Sequence, residues 1–216
     1  MKTLALVLGT LSVVSGVSGV STGAWADPDT RTMRYAVMRE GQQIGTTTVQ
    51  LRRNGPAMTA EVKTNVQVKI AYITVYRYEQ TEVEQWQDGK LEALNAVTND
   101  NGTMHRVTAR NEGGALTVDA DGKTSRLDPS LIPVSLWNAG LVKRTMALDP
   151  QDGKVIPVSV VDHGTEDVVL QGKPVPARHY SIATSFPQDV WYDSKHQLIR
   201  VELRGSDGSK IHYQPG

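Results

Sequence analysis

No cysteine occurs among the 216 residues, and only one phenylalanine. The missing thiols exclude disulfides, thiol catalysis and lipid attachment through an N-terminal cysteine, so packing alone must stabilise the fold. Neither charge dominates: 23 Lys and Arg face 23 Asp and Glu. No basic stretch stands out, which argues against a nucleic-acid partner. Beyond residue 26 the sequence carries no GxSxG elbow, and it has no GxGxxG and no GxxxxGK[ST]. That removes the local signatures of the α/β-hydrolases and of the familiar nucleotide cradles. The five histidines show neither HxxxH nor HExxH spacing. No metal and no cofactor is expected on that basis.

Long apolar runs are also scarce, and the one that exists lies at the start. MKTLALVLGTLSVVSGVSGVSTGAWA places Lys2 before an apolar stretch from Leu4 to Val20, then the small-x-small triplet Ala24-Trp25-Ala26. This order predicts a secretory signal peptide over residues 1–26, cleaved before Asp27. Its glycines and serines, and the lack of following stop-transfer charges, disfavour a membrane anchor. The expected product is one soluble β-rich domain, residues 27–216, in the periplasm or secreted, with no membrane span. The sequence does not fix an oligomeric state.

What is abundant is strand chemistry. In TAEVKTNVQVKI, Val62, Thr64, Val66, Val68 and Ile70 alternate with Glu61, Lys63, Asn65, Gln67 and Lys69. Period-two alternation gives a strand one core face and one water face. Asx-Gly pairs at Asp88-Gly89, Asn101-Gly102, Asp121-Gly122, Asp152-Gly153 and Asp207-Gly208 punctuate the chain. They supply the positive φ of tight hairpins. The reading is all-β: a curved antiparallel meander, an incomplete or half barrel, of about eleven to thirteen strands. LIPVSLWNAGLVKR breaks the rhythm, and a short helical segment near Pro133 to Arg144 is expected to cover one face of the sheet.

One phrase occurs twice. Trp86-Gln-Asp88-Gly-Lys-Leu91 and Trp191-Tyr-Asp193-Ser-Lys-His-Gln-Leu198 both run from a strand through a turn to a leucine. Either convergent hairpin chemistry or two related halves of one sheet would produce this. In both readings Trp86 and Trp191 are equivalent anchors packed on the core.

The order VMREGQQIGTTTV, VYRYEQTEVEQWQDGKLEAL, TNDNG, VWYD and GSKIHY resembles the DUF6134 family of exported bacterial proteins of unknown function. It is also similar to the related DUF3108 proteins. The resemblance spans most of the chain after Ala26 and implies a fold, but no activity and no functional residue. In architecture the reading is similar to the periplasmic lipoprotein carrier LolA, an incomplete barrel lined with apolar residues and covered by short helices.

The candidate ligand-binding residues are aromatic: Tyr72, Tyr76, Tyr78, Trp86, Trp137 and Trp191, which combine apolar area with a polar handle. Glu79, Glu82 and Glu84 form a carboxylate cluster. Glu82 and Glu84 share a strand face as paired acids would, but a solvated face or edge is the expected setting. Since Tyr76, Tyr78 and Trp86 have the same parity, a bulge between Glu79 and Glu84 is expected to separate acids from rings. His163-Gly-Thr-Glu166-Asp167 is the one dense set of ligand-type residues, and it reads as a turn. His105 and His212, at matching places after their turns, read as surface strand residues. The functional expectation is an exported protein holding an apolar molecule, such as a lipid or acyl chain, in the concave face. The alternatives are an envelope structural or interaction protein with a packed core and, third, an enzyme whose site assembles from distant residues.

Overall fold

The computed structural model describes residues 29–216; the leader reading and the expected cleavage after Ala26 lie outside the described residues. The described residues open with five long strands, β1 (Asp29–Arg39), β2 (Gln42–Asn54), β3 (Ala57–Ile70), β4 (Ile73–Gln87) and β5 (Lys90–Asp100). Then come β6 (Thr103–Glu112), β7 (Ala115–Ala120) and β8 (Lys123–Leu127). A connecting segment holds a 3-10 turn (Ala139–Lys143) and the short strands β9 (Met146–Leu148) and β10 (Val155–Pro157). The return leg is β11 (Ser159–Leu170), β12 (Lys173–Ala183), β13 (Gln188–Tyr192), β14 (Leu198–Arg204) and β15 (Lys210–Pro215).

Thirteen strands form one curved antiparallel sheet, in the order β11-β12-β13-β14-β15-β1-β2-β3-β4-β5-β6-β7-β8. The order follows from local hairpins with one exception: β1 lies inside the sheet, paired to β2 and to β15. The sheet is not closed, and β8 and β11 are its edges. β9 and β10 make a separate hairpin.

Residues 128–158 act as a strap over one face, here the inner face. A single strap tryptophan, Trp137, packs against both main apolar clusters. One cluster joins Leu94, Val107 and Leu116 to the strap residues Leu131, Ile132 and Leu148. The other joins Tyr35, Val190, Tyr192 and Val201 to Leu141, Ala147 and Val158. The expected helical cover is therefore mostly irregular chain with a single 3-10 turn, capped by the Asn138 side chain on the Gly140 N–H. Pro133 and the short interval to Gly140 leave no room for an α-helical stripe.

The alternating face of β3 points inward as read: Ala60 is buried and Val62 packs on the second cluster, while Lys63 stands in water. β2 approaches β3 very closely at Gly45, where a Cβ would lie 2.1 Å from the Asn65 carbonyl oxygen. No side chain fits there, whatever the backbone angle. At its far end the β3–β4 hairpin outruns its neighbours, since β2 pairs β3 only as far as Val66 and β5 pairs β4 only from Tyr78. Its turn is Ala71-Tyr72, with both residues left-handed at φ 46° and 71°. Ile70, Ile73 and Val75 are exposed there.

The repeated phrase resolves into two hairpins built alike but offset by one residue. Trp86 pairs with Leu91 across a bulge that places Gln85 opposite Ala93. Tyr192 pairs with Leu198 across a bulge that places Trp191 opposite Arg200. The counterpart of Trp86 is thus Tyr192, not Trp191. Trp86 and Tyr192 both enter the inner clusters. Trp191 packs on the outer face with Val168, Ala177 and Ile199. The expected equivalence of the two tryptophans is corrected by this single-residue shift, because neighbouring strand residues face opposite sides.

Candidate functional site

The inner face of β4 carries an unbroken row: Tyr76, Tyr78, Gln80, Glu82, Glu84 and Trp86. The β3–β4 register runs without a shift from Val68–Tyr76 to Ala57–Gln87. The bulge expected between Glu79 and Glu84 is absent, and the acids share a face with the rings. Glu82 is 2% exposed and Glu84 0%, so the solvated setting expected for them is also corrected. Their cross-strand partners are Val62 and Ala60, inner-face residues of the alternating strand. The strap covers the acids from above.

Burying two carboxyls within reach of each other requires that they share a proton or find donors. Both occur. Glu84 accepts from the Trp86 indole N–H at Oε2 (2.7 Å) and from the Trp137 indole N–H at Oε1 (3.1 Å). The Ser135 hydroxyl donates to Glu84 Oε1, in a very short contact, and lies 3.2 Å from Glu82 Oε1. A hydrogen bond between the two carboxyls completes the set. Desolvation, then the negative charge of Glu84, pushes Glu82 well above the ordinary carboxyl range. Desolvation also raises Glu84, opposed by its Ser135, Trp137, Glu82 and Trp86 hydrogen bonds. Of the two, Glu84, with its three outside donors, is the better placed to bear the charge, and Glu82 the better placed to keep the proton. The two behave as one proton-sharing dyad. They touch through a hydrogen bond, whereas the two glycosidase carboxylates stand apart across a bond to be cleaved.

Beside the dyad, between strap and sheet, lies a groove of about 340 Å3. Tyr35, Tyr76, Tyr78, Tyr213, Trp137 and Phe186 give it aromatic walls. Tyr76 donates to Asp100 (2.9 Å), and the Gln151 side chain bridges Asp100 and the Tyr78 hydroxyl. Burial pushes the Tyr35 and Tyr76 phenols up to about 12, so both stay protonated at neutral pH. Three carboxyls line the groove: Glu82, Asp100 and Asp149, the last raised mainly by desolvation. Among the described residues lining it there is no Lys, Arg or His. On the other side of Trp137 a recess of about 470 Å3 is lined instead by Arg31, Arg53, Lys143, Lys195 and His196.

Of the aromatic residues singled out from the sequence, Tyr76, Tyr78 and Trp137 line the groove. Trp86 lies behind it, edge-on to Trp137 with ring centroids 5.9 Å apart. Tyr72 is 99% exposed at the hairpin tip, and Trp191 belongs to the outer face. Neither joins the groove. The sequence reading overlooked Ser135, Asp100 and Asp149. Only the common parity of Glu82, Glu84 and Trp86 hinted at the dyad.

No curated protein matches the chain. Among solved structures, it is similar to a β-barrel-like protein of the DUF1849 domain of unknown function from Brucella abortus, with a TM-score of 0.63 at 12% identity, over 88% of this chain and 96% of that one. At that identity the likeness speaks for the fold alone: a large curved sheet in both. The family described as "Domain of unknown function (DUF6134)" matches residues 35–216, covering every strand from the middle of β1 onward. The chain belongs to the DUF6134 family.

Proposed function

We propose that this domain is an exported binding module that takes a small amphiphile with a cationic head into the groove beside Trp137. One observation carries the reading: the groove pairs aromatic walls with three carboxyls and no basic side chain among the described residues. A volume near 340 Å3 falls at the small end of ligand pockets, roughly 300–1,000 Å3. Aromatic faces attract a cation through the ring quadrupole, and carboxylates add charge where water is scarce. The polar floor suits a head group better than a bare acyl chain, which narrows the apolar ligand expected from the sequence, such as a lipid or acyl chain, to an amphiphile with a cationic head. Export is supported by the leader-like order of residues 1–26. Intact mass of the exported protein should begin at Asp27, and a mass retaining residues 1–26 would remove the export half of the proposal.

Titration with dodecyltrimethylammonium should change tryptophan fluorescence saturably at pH 7.5, and dodecanoate should not. Trp137→Phe removes most of the signal, while Trp191→Phe leaves it, because Trp191 sits on the outer face. Trp86 is no control, being in ring contact with Trp137. Asp149→Asn and Asp100→Asn should each weaken binding about 10-fold, the order of one desolvated charge interaction. Binding of dodecanoate alone, lost on Arg53→Gln, would move the site to the basic recess. A response to neither ligand would favour a packed interaction domain.

A further inference from the structure

The outer face carries a second constellation, remote from the groove in role and residues. His163, His179 and Asp189 come from β11, β12 and β13, and each offers a ligand atom within 4.8 Å of the others. The rings are ordered. His163 stacks on His179 at 4.4 Å, and His179 stacks on Trp191 at 4.2 Å with planes 13° apart. The Arg200 guanidinium lies over Trp191 on its other flank, 5.2 Å from a ring centroid. Four adjacent strands thus hold one ladder of flat groups.

His163 reaches the ladder through a bulge. Asp162 pairs with Tyr180 and Gly164 with His179, so His163 is the extra residue. Gly164 takes φ 86°, and its N–H is held by Asp162 Oδ1 at 2.9 Å. The Arg178 guanidinium fastens Asp162 in turn. A bulge fixed in this way re-aims a side chain, a device often found next to sites.

The polar contacts place both ring nitrogens of His179 beside carboxylates. The Ser181 hydroxyl donates to Asp189 Oδ1 (2.5 Å), so its oxygen accepts from His163 Nε2 (2.8 Å). His179 stands between Glu166 Oε1, 3.5 Å from Nδ1, and Asp189 Oδ1, 3.2 Å from Nε2. A neutral imidazole has one N–H and can satisfy only one of these carboxylates. The other contact sets a lone pair against a carboxylate oxygen. Glu166 is independently fixed by the Trp191 indole N–H at 2.6 Å. With Nδ1–H turned to Glu166, His179 presents a bare Nε2 beside Asp189, the carboxylate-histidine arrangement that orients metal ligands.

We propose that His163, His179 and Asp189 bind one divalent transition-metal ion of the Zn2+ class on the outer face, with Glu166 as the positioning residue for His179. Two imidazole nitrogens and one carboxylate oxygen make a borderline donor set that favours such ions over Mg2+ or Ca2+. Ligand atoms on a tetrahedral ion lie about 3.3 Å apart, so the cluster closes by small side-chain rotations. His163 coordinates through Nε2 after its proton passes through solvent to Nδ1. Three protein ligands leave the ion an open position.

The test is calorimetric titration of Zn2+ into the whole protein after chelator treatment, with Co2+ absorption as the coordination readout. One ion per chain is expected, with the intense visible band of four-coordinate Co2+. His163→Gln and Asp189→Asn change exposed or half-exposed positions and should keep the melting curve. Each should weaken Zn2+ by about 10-fold or more, and Glu166→Gln by about 10-fold although every direct ligand remains. Zn2+ should leave amphiphile binding unchanged, so failure here and failure of the groove proposal are distinguishable. No saturable binding, or binding that survives both His163→Gln and Asp189→Asn, overturns the site.

Discussion

Glu84 receives three donors from outside the dyad, while Glu82 shares only the edge of one hydroxyl. That difference makes two similar carboxyls behave oppositely under substitution. Glu82→Gln keeps a donor toward Glu84 and removes the need to hold a proton. Glu84→Gln sets an amide N–H2 among indole and hydroxyl donors and should cost about 1–3 kcal/mol. The sign with pH follows from the raised Glu82 pKa, caused chiefly by desolvation. The folded protein keeps a proton that the unfolded chain releases above its ordinary value near 4.5. The stabilisation from this group is complete below that pH and falls as pH rises toward the folded pKa, at most by about 1.4 kcal/mol per unit. Thermal melts of wild type and Glu82→Gln should therefore coincide near pH 4.5 and separate by pH 8, with the variant higher. Parallel curves across that range would show that Glu82 does not hold the proton.

At the scale of elements, the two bulged hairpins assign energetic weight. Trp86→Ala and Tyr192→Ala each open the inner core and should cost about 3–5 kcal/mol in denaturant unfolding. Trp191→Ala removes a ring from a smaller outer cluster and should cost less than either. The reverse order would contradict the one-residue offset. The β3–β4 turn makes a second prediction. Ala71 and Tyr72 are both left-handed without being Gly or Asn, at about 1 kcal/mol or more each. The pair Ala71→Asn with Tyr72→Gly should raise stability by about 1 kcal/mol, seen as about 2–4 °C in melting. These elements also show where sequence was readable. Alternation in β3 and the Asx-Gly turns are local signals, and they yield the meander and its strands directly. Ala71-Tyr72 carries no such signal, so that turn was invisible. The dyad was misread because Ser135 and Trp137 decide its burial from 51 and 53 residues beyond Glu84. The outer cluster draws on three strands, so its ligands have no characteristic spacing. The Trp repeat misled because a longer second turn shifts the phrase by one residue, and one residue is a whole face of a sheet.

For the whole molecule, the strap and the sheet act as one unit, since Trp137 packs against the clusters of both arms. Removing Lys210–Pro215 would delete β15, take Tyr213 from the second cluster and leave β1 and β14 with unpaired edges. Such a variant should lose the single cooperative melt and associate, as size-exclusion chromatography and circular dichroism would report; a monomer with a wild-type melt would mean that the two arms fold independently. The position of β1 also sets a timetable. Its last turn is joined to the start of β15 by the Glu40–Lys210 contacts, 170 residues apart in sequence. A ribosome delivers β1 first and β15 after every other strand of the sheet. During all that interval β1 offers one bare row of amides and carbonyls, and Tyr35 lacks its acceptor on Leu198. Contacts of such long range make folding slow. The sheet cannot close the gap between its two arms until β15 has been made, so β1 keeps that open edge for as long as the intervening strands are being delivered.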